Sequence, residues 1–325
     1  MHNKTLTRAI ALGTFDGLHT AHMAVLEAAA NQNSFAPAVL LFDQHPLQAL
    51  TGRAPPRLLT DEDRDERLLA LGLEILFASF NEIKDMPPGA FFEDVLLGRF
   101  HAGALCCGYD YSFGAGALGH VDELRALCDA HGIALCTTPE IDYKGAPVSS
   151  TRIRQALGEG SLADANAMLG RPFGYAFPVE GGRRVGRRLG FPTFNQAFAP
   201  GFAIPRHGVY ASQAFVNGEW QSSVTNIGIA PTIHHSAEGG CPPQARSELR
   251  TAVRSETHIM GFAGDLYGQR VPVRLLRFLR PEKKFDDIEE LKKQIAVDIC
   301  HARGDEGAGA SRCHHTTVCP LASAL

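Results

Sequence analysis

Apolar residues in the first half of the chain come in short runs: AIALGTF (9–15), AVLLFD (38–43), LEILFASF (73–80), AGALCCG (102–108) and GIALCTT (132–138). Between them lie stretches with helical spacing: HMAVLEAAANQ, DEDRDERLLALG, GAFFEDVLLGRF and HVDELRALCDAHG. Apolar runs of strand length alternating with amphipathic helices predict a parallel sheet with helices on both faces. The pattern stops near residue 170, where SLADANAMLGRPFG reads as a last helix and a Gly-Arg-Pro linker. Beyond it come the short pieces YAFPVEG, GVYASQAFV, WQSSVTNIG, SETHIMGF and VPVRLLRFL, split by Gly, Pro and Asn. Closely spaced strands with turn residues between them predict a small antiparallel barrel or sandwich, closed by the helix DDIEELKKQIAVDICHAR (286–303). Residues 233–250 read as a long polar excursion between strands. The expected class is α/β plus β.

Composition narrows the function. The 325 residues carry 31 Lys and Arg against 35 Asp and Glu, a net charge of -4. This argues against a general nucleic-acid binder or a protein held on anionic membrane, since both need clustered cations. No apolar stretch is long enough for a membrane helix, and no cleavage site follows the short N-terminal apolar run, so the chain is expected in the cytoplasm. None of the eight cysteines forms a C-x-x-C pair. Cys106, Cys107 and Cys136 lie in apolar runs and are expected to be reduced and buried. The Gly-rich tail with Cys313, His314, His315 and Cys319 reads as a frayed terminus.

Candidate chemistry begins behind the first strand, in GTFDGLHTAH (13–22). His19 and His22 stand where a strand hands over to a helix, a place at which free N–H groups favour phosphate. Their spacing of three, with no third ligand nearby, suits a polyphosphate better than zinc. A second polar cluster, SSTRIR, offers Ser149, Ser150, Thr151, Arg152 and Arg154 at a helix start. Hydroxyls and guanidinium forks there suit phosphate oxygens, although a solvated N-cap accounts for them equally well.

In this order, GTFDGLHTAH, FDQHP (42–46), GYDYSFG (108–114) and SSTRIR (149–154) resemble the N-terminal module of the bifunctional riboflavin kinase/FMN adenylyltransferases, within the nucleotidylyltransferase superfamily. The resemblance implies a Rossmann-like sheet that transfers AMP from ATP to FMN, releasing pyrophosphate. It implies His19, His22 and Arg154 as catalytic residues. Gly13, Phe15, Asp16, Gly17, Ser149, Ser150, Thr151 and Arg152 would bind nucleotide, and Asp110 and Phe113 flavin. Two positions depart from the family pattern: Ala21 stands in place of the glycine in His-x-Gly-His, and Ser112 in place of an arginine.

The stretch GRRVGRRLGFPTFN (182–195) admits two readings, a basic hairpin loop or a glycine-rich loop folded over nucleotide phosphates. In the second, the Thr193 hydroxyl and Asn195 carbonyl are hard ligands for Mg2+. Glu256, in SETHIMGF, is either a surface carboxylate or a residue pointing into a site. The series LGRPF, GRRLGFPTFN, GVYAS, NIGIAPT, SETH, GDLYG and RPEKKFDDIEELKKQI resembles the riboflavin kinase module of the same family over nearly all of 169–298. This implies a six-stranded barrel that phosphorylates riboflavin to FMN. Glu256 would be general base, Gly186, Gly190, Pro192, Thr193 and Asn195 would bind Mg-ATP, and Arg280 the flavin. Ala230 and the long 233–250 excursion depart from the pattern. The expected division is 1–168 adenylyltransferase, 169–302 kinase and 303–325 tail, with Mg2+, ATP, riboflavin, FMN and FAD as small-molecule partners. The alternatives are a kinase with a disabled first module, or a flavin-binding regulator without turnover.

Overall fold

The computed structural model describes residues 7–181, 190–229, 253–285 and 287–304. Gly186, Ala230, the 233–250 excursion and the Cys/His tail lie outside the described residues. The chain divides into two compact units: residues up to Gly158 with Asp164–Arg171 and Pro200–Ala203, and the remainder.

The first unit contains strands β1 (Arg8–Leu12), β2 (Ala36–Phe42), β3 (Glu74–Ala78), β4 (Ala102–Gly108), β5 (Ser112–Phe113), β6 (Gly119–His120) and β7 (Ala134–Thr138). Five of them form a parallel sheet in the order β3-β2-β1-β4-β7, and β5 and β6 form a separate hairpin. The central strands are apolar on both faces, as a sheet covered on both sides requires. Ile10 and Leu12 pack into one core with Phe91, Phe92 and Leu124, while Ala11, Val39 and Leu41 pack into another with Leu26 and Leu68. The chain moves outward from β1 to β3 and then returns to the other side of β1 through β4. The order therefore reverses between β1 and β4, and a crevice at their carboxyl ends is the position where such sheets bind ligands.

The helices are α1 (Thr20–Ala30), α2 (Pro46–Thr51), α3 (Asp61–Ala70), α4 (Phe80–Ile83), α5 (Pro88–Ala90), α6 (Val121–His131), α7 (Ser150–Glu159) and α8 (Leu162–Leu169), of which the short α2 and α4 were not expected from the sequence. One segment differs from the simple helix expected: Phe91–Arg99 is π-helical. The wider turn still buries Phe91, Phe92, Val95 and Leu96, so the apolar pattern alone does not separate the two forms.

The second unit contains β8 (Gly174–Pro178), β9 (Phe194–Ala197), β10 (Gly208–Val216), β11 (Glu219–Ile229), β12 (Val253–Ile259) and β13 (Arg270–Arg280), followed by α9 (Ile288–Arg303). All pairings are antiparallel, in the order β8-β13-β10-β11-β12-β9. The sheet is brought nearly to a closed barrel by a single bridge between Glu180 and Asn195, with the Glu180 N–H donating to the Asn195 carbonyl at 2.8 Å.

The barrel interior is partly polar. Ser212 Oγ lies 2.8 Å from both Ser223 Oγ and Thr225 Oγ1, and Thr225 Oγ1 lies 2.9 Å from Thr257 Oγ1. A buried hydroxyl is tolerated only with a partner, and these hydroxyls partner one another across three strands. The terminal helix is fastened by Arg280, whose Nε and Nη2 donate to the buried Asp298 carboxylate at 2.9 and 2.7 Å. Among the described residues, no helix is long and apolar enough to cross a membrane.

Candidate active sites

The first site is built on the loop that joins β1 to α1. Phe15, Gly17 and Leu18 all have positive φ, at 49°, 86° and 44°. Only glycine takes this region at little cost, so Phe15 and Leu18 are strained and must be held by their surroundings. Both side chains are fully buried. At Gly17 a Cβ would come within 2.7 Å of Leu58, which adds a steric reason for glycine.

Polar contacts hold the same loop. The Ser150 hydroxyl donates to the Asp16 carbonyl at 2.8 Å. Arg171 donates to the Gly17 carbonyl at 2.7 Å and the Leu18 carbonyl at 2.9 Å. The Asp16 carboxylate accepts the Leu58 N–H at 3.0 Å and pairs with Arg154. Three consecutive carbonyls are therefore tied down just before His19.

His19 is the N-cap of α1, and its Nδ1 accepts the His22 N–H at 3.3 Å. The proton of the neutral ring is thus left on Nε2, where it can be donated to a ligand. The His22 ring stacks on His19 with centroids 3.6 Å apart and meets the edge of Phe15 at 5.3 Å. Burial, with Arg171 and Arg154 nearby, lowers the His19 pKa to about 4. Burial first, and then His19 itself, holds His22 well below its ordinary value. The pair is neutral at pH 7, and an approaching polyanion would supply the charge that favours protonation.

These residues border a cavity of about 660 Å³, within the range of ordinary ligand pockets. Gly13, Phe15, His19, His22, Ser149 and Ser150 line it together with Phe42, Phe80, Phe91, Tyr109, Asp110 and Phe113. Phosphate-type donors and aromatic walls occur in one space. Phe91 belongs to the π-helical segment, so this irregularity shapes the cavity wall.

Other expected residues act on the protein. Arg152 donates to the Pro147 carbonyl at 2.6 Å and the Tyr143 carbonyl at 2.9 Å, and also to the Ala146 carbonyl. Its guanidinium fastens the segment leading into α7. Thr151 is exposed, and Ser149 Oγ accepts the Arg152 N–H at 3.3 Å as a helix cap does. Arg154 donates to the Pro56 carbonyl at 2.6 Å besides pairing with Asp16. Ala21 is the second residue of α1 and lines the cavity, so this departure needs no positive φ. Neither Arg171 nor Lys84, which lines the cavity, was signalled by its local sequence.

The second site is on the barrel, where a cavity of about 830 Å³ is lined by Glu180, Gly181, Pro192, Thr193, Asn195, Thr257, Asp265 and Tyr267. Asn195 and Glu256 are register partners across β9 and β12 and share a sheet face, with Thr193 two residues before Asn195. Asn195 is buried and Glu256 exposed. His258 Nδ1 lies 2.9 Å from the Pro192 carbonyl, which fixes the chain just ahead of Thr193. Thr193 and Asn195 line this cavity and Glu256 does not; a hydroxyl and an amide carbonyl are hard donors of the kind Mg2+ takes. Among the described residues no group of three or more His, Cys, Asp or Glu could hold a metal, so such an ion would need substrate phosphates as further ligands. Arg280 lines neither cavity and is committed to Asp298. Gly190, at φ 86°, borders the undescribed 182–189 segment.

Comparison with known proteins assigns the two units. Residues 2–152 match the family model for FAD synthetase and residues 169–304 that for riboflavin kinase. The chain is 32% identical to the bifunctional riboflavin kinase/FMN adenylyltransferase of Listeria monocytogenes over 300 residues, covering 90% of each protein. It is also 32% identical to the proteins of that name from Bacillus subtilis, covering 89% of each, and Escherichia coli K12, covering 90% of this chain and 91% of the other. A crystal structure titled as a macrolide-efflux protein from Streptococcus pneumoniae superposes with a TM-score of 0.79 at 24% identity. It covers 92% of this chain and 95% of the other, and shares the fold. With both family models matched in order and curated relatives covering nine-tenths of its length, the chain belongs to the bifunctional riboflavin kinase/FMN adenylyltransferase family.

Proposed function

We propose that the barrel transfers the γ-phosphoryl group of ATP to the ribityl hydroxyl of riboflavin, and that the first unit transfers AMP from a second ATP to the FMN so formed. The observation that carries the second step is the Ser150–Asp16 hydrogen bond. It joins two motifs 134 residues apart at the sheet's switch point, beside the stacked His19 and His22.

In adenylyl transfer a phosphate oxygen of FMN attacks the α-phosphorus of ATP and pyrophosphate leaves, so no protein nucleophile is required. The protein positions the reactants and stabilises developing charge. His19 donates from Nε2, and His22 supports it from behind in the stack. Ser149 offers a hydroxyl on the same wall, Ser150 holds the Asp16 carbonyl, and Arg154 braces the Asp16 carboxylate. Asp110, Phe113 and the aromatic wall hold the flavin.

In the barrel, Thr193 and Asn195 hold Mg-ATP, and the cation neutralises phosphate charge when bound. Glu256 accepts the proton of the attacking hydroxyl as the loose phosphoryl transition state forms. Residues 1–168 and 169–302 are taken as the two catalytic modules, working in the cytoplasm, where ATP and Mg2+ are at hand.

The test incubates the full chain with Mg2+ and ATP, adding either riboflavin or FMN, and resolves the flavins by chromatography. FAD is expected from both. Glu256→Gln should stop riboflavin consumption and leave FMN conversion intact, and His19→Ala should do the reverse. Accumulation of FMN with no FAD from the unaltered chain would instead mark a kinase with a disabled first module.

A further inference from the structure

The residue that secures the adenylyl-transfer loop most directly comes from outside the segment matched by the FAD synthetase model. That model ends at residue 152, and Arg171 lies within the 169–304 match to riboflavin kinase. By contacts, however, Arg171 is the last residue of an excursion, Asp164–Arg171, that belongs to the first compact unit. Arg171 is part-buried there. Nη1 donates to the Leu18 carbonyl at 2.9 Å and the Leu169 carbonyl at 3.2 Å, and Nη2 to the Gly17 carbonyl at 2.7 Å.

Gly17 and Leu18 both have positive φ, and His19 follows them at once. A planar fork with fixed donor directions holds two adjacent carbonyls in such a strained turn while also gripping the end of α8, whereas an ammonium is a point charge on a flexible stem and fixes no such geometry. The same end of α8 accepts the Thr20 hydroxyl through the Met168 carbonyl at 3.1 Å, so the residue after His19 is anchored to the same place.

We propose that Arg171 is a positioning residue for adenylyl transfer, contributed by the segment that sequence comparison assigns to the kinase. It sets the Gly17–Leu18 turn and through it the direction of the His19 ring. The working adenylyltransferase unit therefore runs through residue 171 rather than ending at 168. This inference rests on the reading of His19 as a phosphate-contacting residue.

The test uses the full chain with Arg171→Lys and Arg171→Ala, measuring both reactions on each preparation. Arg171→Lys keeps the charge and loses the fork. It should lower kcat for FMN adenylylation at least tenfold with little change in the KM for FMN, and leave riboflavin phosphorylation within twofold. Arg171→Ala should lower adenylylation further. Because the Arg171 charge helps depress His19, the NMR titration of the His19 ring should move upward in the alanine variant from its value of about 4. Full adenylylation by Arg171→Lys overturns the proposal, as does an equal loss of both activities in that variant, which would make Arg171 a general support of the fold. If His19→Ala leaves adenylylation of FMN unchanged, the reading of the site itself fails, whatever the Arg171 variants do.

Discussion

At the scale of single residues, the two histidines make the protein's acid stability depend on its ligand. His19 has its pKa lowered from 6.5 to about 4, with burial the largest cause. A folded pKa below the unfolded one means that the unfolded chain binds the proton first as pH falls. Stability is therefore full above about pH 6.5 and is lost between there and about pH 4, by about 3 kcal/mol for this group. Polyphosphate beside the ring should raise its pKa in the complex. The His19 ring resonance should titrate near 4 in the free protein and distinctly higher with ATP, and an unmoved titration would take His19 out of the phosphate site. Ala21 gives a second prediction. As it is helical, Ala21→Gly should cost the helix no more than about 1 kcal/mol and change kcat/KM for FMN adenylylation by less than about threefold. A large gain in rate would show that the methyl group obstructs the phosphates. The histidines were legible in the sequence because strand, loop and helix are local patterns. Arg171 was not, since its partners lie 153 and 154 positions away and a Gly-Arg-Pro stretch carries the ordinary signal of a linker.

At the scale of elements, the buried central strands explain why the parallel sheet could be read directly. A strand covered on both faces is an apolar run, as β1, β2 and β4 are. The barrel was harder to read. Its strands carry Ser, Thr and Gln on the inside, so the alternation of polar and apolar residues does not separate inner from outer faces. These inward hydroxyls make a specific prediction. Thr225 Oγ1 links Ser212 to Thr257, so Thr225→Val removes a partner from two buried hydroxyls and should destabilise the chain by about 1–3 kcal/mol, measured by denaturant unfolding. Loss of less than about 0.5 kcal/mol would mean that the ladder contributes little. Arg280 belongs to this scale as well. With its guanidinium bound to Asp298, Arg280→Ala should lower the melting temperature by loosening α9 while leaving the KM for riboflavin unchanged. A raised KM at a temperature where the variant is folded would restore the flavin-binding role that the family resemblance implies.

At the scale of the whole molecule, each cavity is lined by residues of one compact unit. The 660 Å³ cavity draws on residues between Leu12 and Ser150, and the 830 Å³ cavity on residues between Val179 and Tyr267. If the residues of each unit suffice for its own step, the FMN made by one molecule can be used by another. This leads to a complementation experiment. Glu256→Gln retains adenylyl transfer, and His19→Ala retains phosphorylation. Neither variant alone should convert riboflavin to FAD at an appreciable rate. Mixed in equal amounts they should do so, after a lag in which free FMN accumulates to the level the adenylyltransferase requires. Dilution should lengthen the lag, because the intermediate then needs more time to reach that level in solution. On the same condition a free pool should also govern the second step in the unaltered chain, so a trap that removes free FMN should suppress FAD formation from riboflavin. FAD formation that resists the trap would show instead that FMN passes between the units without release, and the independence of the two sites would have to be given up.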